Sequence, residues 1–192
     1  MLSKIKKVIF EKNILSLATS LTGAFLGLVS FIILTRSFDK EIFGDWVLYT
    51  TLATFTDLLR FGLTRNAVVR FISGADEKTK KSILGSSFII GIILVGIITL
   101  ILWPALFIFD HFQIEMNYGY RLFLTWYPVL ALVNLSWNNS LSLFQAEQRF
   151  KDMLIIRVVS LGSFVLFLIA NLIYFHYGIF EVILAPLAAN LL

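Results

Sequence analysis

The sequence predicts an all-α, polytopic membrane protein, and three observations carry that prediction. Of 192 residues, 58% are hydrophobic and 15% charged, with a mean hydropathy of +0.87; average proteins carry about 25% charged residues. Several apolar runs reach or exceed the roughly 20 residues that cross a bilayer as helix. Lysine and arginine gather in alternate gaps between those runs, the pattern that orients helical membrane proteins. The chain has no cysteine, which excludes disulfides and thiolate metal sites.

Residues 1–13 are basic and weakly amphipathic, with Lys4, Lys6, Lys7 and Lys12 interleaved with Ile5, Val8, Ile9 and Phe10. This suits an interfacial helix on an anionic leaflet, and the apolar segment that follows is too long for a signal peptide. The first span covers 14–34. Its small and hydroxyl residues share a face, and Gly23-x-x-x-Gly27 at its centre is the pattern that lets helices approach closely.

The second span, 43–63, carries Asp57 and Arg60 three positions apart. At 3.6 residues per turn Trp46, Thr50, Thr54, Asp57 and Thr64 form one stripe, with Arg60 at its edge. A charge at membrane depth costs about 2.5 to 3.5 kcal/mol on insertion scales and usually faces a bundle interior or a watery cavity. The helix therefore reads as one wall of a polar cavity. A second reading has the two charges neutralising each other near the interface, with Arg60 snorkelling out.

A basic loop is expected over 64–82, with a turn at Ser73-Gly74. The third span, 83–109, is uncharged and long enough to tilt or bend at Pro104; Gly85, Gly91 and Gly96 suggest close packing. After a polar loop at 110–120 comes the fourth span, 122–144, in which Asn134, Asn138, Ser142 and Gln145 fall on one side. Such amides serve as interhelical hydrogen-bond glue worth about 1 kcal/mol each, or line a sugar-binding cavity. The fifth span, 153–174, has Arg157 one turn inside, near enough to the boundary to snorkel or to face the cavity. A sixth apolar run opens at 181 and continues to 192, shorter than a full span; the chain reads as five spans and part of a sixth.

With the N-terminus inside, the cytoplasmic segments hold thirteen of the sixteen Lys and Arg residues, Arg60 included; Arg36, Lys40 and Arg121 are the exceptions. Asp57 is the only carboxylate deep in a span. No phosphate-cradling glycine loop, zinc pattern or nucleophile elbow is present, and two loop histidines build no triad or metal site. The sequence thus calls for no catalytic residue, metal or cofactor, and it carries no nucleic-acid-binding motif.

Residues 38–74, FDKEIFGDWVLYTTLATFTDLLRFGLTRNAVVRFISG, resemble the start of the polysaccharide and O-antigen flippases of the multidrug/oligosaccharidyl-lipid/polysaccharide exporter superfamily. The resemblance rests on Phe43-Gly44 opening the second span and on Gly62, Leu63, Ala67 and Arg70 closing it. SLFQAEQRFK after the fourth span (Gln145, Ala146, Arg149, Phe150, Lys151) and the turn HYGIFEVILA are similar to later family landmarks in the same order. The resemblance implies two six-helix lobes around a central cavity, working by alternating access in the bacterial cytoplasmic membrane. The cargo would be a polyprenyl-diphosphate-linked oligosaccharide. This chain corresponds to the N-terminal lobe, to be completed by a C-terminal lobe or a second copy.

A diphosphate crossing the bilayer needs compensating cations, and arginine offers a bidentate fork for it. Arg60 is the expected ligand, with Arg65 and Arg157 at the cytoplasmic mouth, while Asp57 positions Arg60 or binds a coupling cation. Thr50, Thr54, Asn134 and Asn138 complete the expected cavity lining. The competing functions are a cation-coupled drug exporter of the same superfamily and a non-transporting membrane scaffold.

Overall fold

The computed structural model describes residues 2–191, with side chains described for 14–62 and 64–185. Six α-helices follow one another: α1 (Leu2–Ser37), α2 (Lys40–Ile72), α3 (Glu77–His111), α4 (Tyr118–Ala146), α5 (Phe150–Ala170) and α6 (Ile179–Leu191). A π-helical turn, Asn171–Phe175, extends α5. No strand occurs among the described residues. The interfacial reading of the first thirteen side chains, and the last residues of the sixth run, lie outside the described side chains.

Three helical stretches are long and apolar enough to cross a membrane: Ile14–Ser37, Glu77–His111 and Phe150–Phe175. Their outward faces are greasy and unpacked, with Phe25, Leu100, Phe107 and Leu166 all well exposed. Helices α2 and α4 have 33 and 29 residues, about 50 and 44 Å at 1.5 Å per residue, but they carry more polar side chains.

The helices outrun the expected spans because charged residues interrupt hydropathy without breaking a helix. Nine residues of the expected loop, through Arg65 and Arg70, continue α2, and only 73–76 connect it to α3, with Gly74 at φ 84°. Helices α3 and α4 end alike. The Ile114 N–H bonds Phe109 O and the Gln113 N–H bonds Asp110 O; Arg149 to Phe144 and Gln148 to Gln145 repeat the pattern. This is the Schellman arrangement, with glutamines at φ 51° and 55° in the left-handed position. Pro104 and Pro128 both sit inside unbroken helices.

Helix α4 is the hub, packed against α2, α3, α5 and α6, whereas α1 rests mainly on α5. The principal core joins Tyr49 of α2, Val95 of α3, Phe123, Tyr127 and Leu130 of α4, and Ile183 of α6. A smaller core of Leu34, Leu168 and Val182 closes the end where α1 turns into α2, with Phe43 edge-on to Phe31 at 5.4 Å. At that end a Cβ on Gly119 would stand 2.5 Å from the Asp45 carbonyl oxygen, so α2 and α4 touch backbone to backbone there. Gly91 gives the same closeness against Leu135, whereas Gly27, Gly85 and Gly96 face open space. Gly23 faces α5 through a side chain: a Cβ there would stand 3.0 Å from the Arg157 guanidinium, so its absence leaves room for that group.

Beyond α5 the chain reverses on Asn171. Its buried side chain accepts from the Tyr177 N–H at 2.7 Å and donates to Tyr177 O at 3.4 Å, while His176 takes φ 53°.

Candidate functional site

The second helix meets the fourth along a seam whose centre is Arg60. Its side chain is wholly buried, bonded through Nη2 to Asp57 Oδ1 at 2.7 Å and through Nη1 to the Ala131 carbonyl at 3.0 Å. The guanidinium lies 4.1 Å over the Phe61 ring, a cation–π contact. Asp57 is at the rim instead, 41% exposed, and its Oδ1 also accepts from Tyr127 OH at 2.8 Å. Centre and edge are thus reversed from the sequence expectation. The buried face of α2 runs through Asp45, Tyr49, Arg60 and Val68, one helical stripe at spacings of 4, 11 and 8.

This corrects two expectations. Arg60 does not snorkel: its side chain is wholly buried and its two terminal nitrogens are committed to protein acceptors. Nor does it line any of the clefts described below.

Two clefts flank the polar side of α4. One, about 420 Å³, opens between α2 and α4 and brings together Thr54, Asp57, Arg65, Asn66, Asn138 and Gln145. Arg65 donates to Gln145 Oε1 through Nη2 at 2.7 Å and Nε at 3.1 Å. The other cleft, about 470 Å³, is lined by Gly23 of α1, Trp137 and Leu141 of α4, and Arg157, Ser160 and Phe164 of α5. Arg157 is partly buried and sends one long bond, 3.4 Å, to the Thr19 carbonyl. No carboxylate among the described residues pairs with Arg65 or Arg157. A smaller recess of about 170 Å³ places Asn134 beside Asp57, Tyr49 and Tyr127.

Asp57, Thr54, Arg65 and Asn138 therefore share one cleft, Asn134 joins Asp57 in the recess, and Arg157 occupies a separate cleft. Thr50 lines none of these, its hydroxyl turned back to Trp46 O at 2.8 Å. Asn138 keeps Nδ2 on Asn134 O at 3.0 Å, an intrahelical bond and not interhelical glue. Two residues were missed in the sequence reading. Tyr127 gives no local signal, being seventy positions from its partner. Asp45, 7% exposed, accepts from the Gly119 N–H at 2.9 Å; an acid one turn inside an apolar helix was the available clue.

Where the chain is basic, side chains cross-link the helix ends. Lys80 bonds Glu147 at 2.8 Å and Glu77 at 3.1 Å, and Arg149 bonds Asp152 at 2.6 Å. The Lys80 hydrogen bond holds the Glu147 carboxyl below the usual glutamate range, and the Thr79 hydroxyl does the same for Asp76.

Long apolar helices around a hub helix with a polar face define a multi-pass helical membrane protein. A profile of the polysaccharide biosynthesis protein family matches residues 10–192, and the chain belongs to that family. The family's members are membrane transporters and flippases of polysaccharide biosynthesis rather than enzymes. No curated protein and no solved structure matches the chain.

Proposed function

We propose that this chain forms a lobe of a flippase that carries a polyprenyl-diphosphate-linked oligosaccharide across the bacterial cytoplasmic membrane. In this reading α2 and α4 cross the bilayer with the three apolar helices, and the cation-rich helix ends and N-terminus lie on the cytoplasmic side. One observation carries the reading: each cleft beside α4 presents an arginine, Arg65 and Arg157, with no carboxylate partner among the described residues. A diphosphate would displace the neutral Gln145 amide from Arg65 and take up the fork geometry of both guanidinium groups. Asn134, Asn138 and Thr54 would offer hydrogen bonds to sugar hydroxyls. Both clefts are open on one side, so a facing lobe, from the same polypeptide or a second copy, completes the cavity.

Asp57 has the positioning role, holding Arg60 in the seam. Its partial exposure in the cleft favours a second reading, in which it takes up a coupling cation that drives export of a small molecule. The test is export of lipid-linked sugar by the full-length protein in membranes. Arg65→Ala and Arg157→Ala each lower export about tenfold or more, as loss of a charged hydrogen bond worth about 1.5–3 kcal/mol requires, at unchanged protein level. Arg60→Ala lowers the protein level first. Normal export by both Arg65→Ala and Arg157→Ala sinks the proposal.

A further inference from the structure

A third groove, about 260 Å³, lies between α2 and α3 and takes no part in the α4 clefts. Ala67, Val68 and Phe71 form one wall, and Ile83, Ser86 and Ile90 the other. Phe71 is 64% exposed and Ile90 46%, so the trough faces outward from the bundle, where a membrane protein meets lipid tails. It ends at the short 73–76 connection, and there the charges divide sharply. Lys80 is consumed by Glu77 and Glu147, and Asp76 is bonded by Thr79. Arg70, Lys78 and Lys81 are exposed, and no partner for them occurs among the described residues. The hydroxyls of Ser82 and Ser86 on the groove wall are likewise without a partner there.

We infer that this groove holds the acyl chain of an anionic phospholipid of the bilayer, with its phosphate headgroup against Arg70, Lys78 and Lys81. Charge and shape agree: an apolar trough leads to the helix ends that carry Arg70, Lys78 and Lys81, where the neighbouring acids are already paired. Cations of this kind beside a membrane surface select anionic lipid. Ser82, one helical turn from Lys78 and next to Lys81, is placed to donate to the glycerol–phosphate region. The inference rests on the proposed function only in taking α2 as membrane-crossing; it requires no sugar-linked cargo.

The experiment titrates the purified full chain in nonionic detergent with phosphatidylglycerol and, separately, with phosphatidylcholine of the same acyl chains. Bound lipid is counted by native mass spectrometry. Phosphatidylglycerol binds at least tenfold tighter. Each of Arg70→Gln, Lys78→Gln and Lys81→Gln lowers that preference up to about fivefold, and the triple variant abolishes it. Lys80→Gln, which removes the paired cation, leaves it in place, and Ala67→Phe, which fills the trough, weakens both lipids together. Equal binding of the two lipids by the unaltered chain, or a preference that survives the triple variant, overturns the inference. The export assay is read on the same variants. Lost lipid preference with normal export leaves the flippase reading standing, and intact preference with export unaffected by Arg65→Ala and Arg157→Ala leaves this inference standing.

Discussion

The seam between α2 and α4 and the seam between α1 and α5 each contain an arginine, and they treat it in opposite ways. Arg60 is sealed off, with Asp57, the Ala131 carbonyl and the Phe61 ring around it. Arg157 lies along Gly23 in an open cleft, with one 3.4 Å bond to a carbonyl. A cation with an acid beside it has its charge already compensated, whereas one without keeps its charge available. In the proposed reading the conspicuous pair is the scaffold and the less conspicuous arginines are the candidate ligands.

The sharpest break of that contrast is at Asp57. Asp57→Ala strands a buried cation and lowers stability by about 3–5 kcal/mol. Arg60→Ala costs less, because the partly exposed carboxylate left behind rehydrates, and the double variant recovers part of the loss. Unfolding in detergent, analysed as a double-mutant cycle, measures all three; a more damaging Arg60→Ala would reverse the assignment of centre and rim. The next largest effect is at Gly119, where Gly119→Ala drives a methyl into the Asp45 backbone and costs about 1–3 kcal/mol. Gly27→Ala, facing open space on α1, is neutral or gains about 0.5–1 kcal/mol in helix propensity. Thermal midpoints of the two variants separate them.

Arg157→Ala changes stability by less than about 1 kcal/mol while export falls, a division of effects that Asp57→Ala does not show. The smallest effect concerns Glu147. Lys80 depresses its carboxyl, so its contribution is present above the ordinary glutamate value and fades as the pH falls through the depressed one. Lys80→Gln removes that part of the pH dependence and its salt sensitivity, seen in thermal midpoints across an acidic pH series.

Fold class was legible because burial in lipid leaves its mark on every residue of a long apolar run. The Asp57–Arg60 pair was legible for the converse reason, as charge where none is expected. Spacing told which residues share a face of α2, but not which face α4 covers, so Asp57 and Arg60 exchanged places. Tyr127 and the Ala131 carbonyl were invisible because a hydroxyl and a backbone oxygen on a distant helix leave no periodic trace. Helix ends were misjudged because Arg65 and Arg70 lower hydropathy while remaining good helix formers.

The grip of Asn171 on the Tyr177 backbone has a mechanical corollary. A loose linker would let the fifth and sixth helices swing independently, but this reversal is clamped at both ends of one amide. Tilting of the fifth helix is therefore expected to carry the sixth with it, and Asn171→Ala to loosen the two from each other.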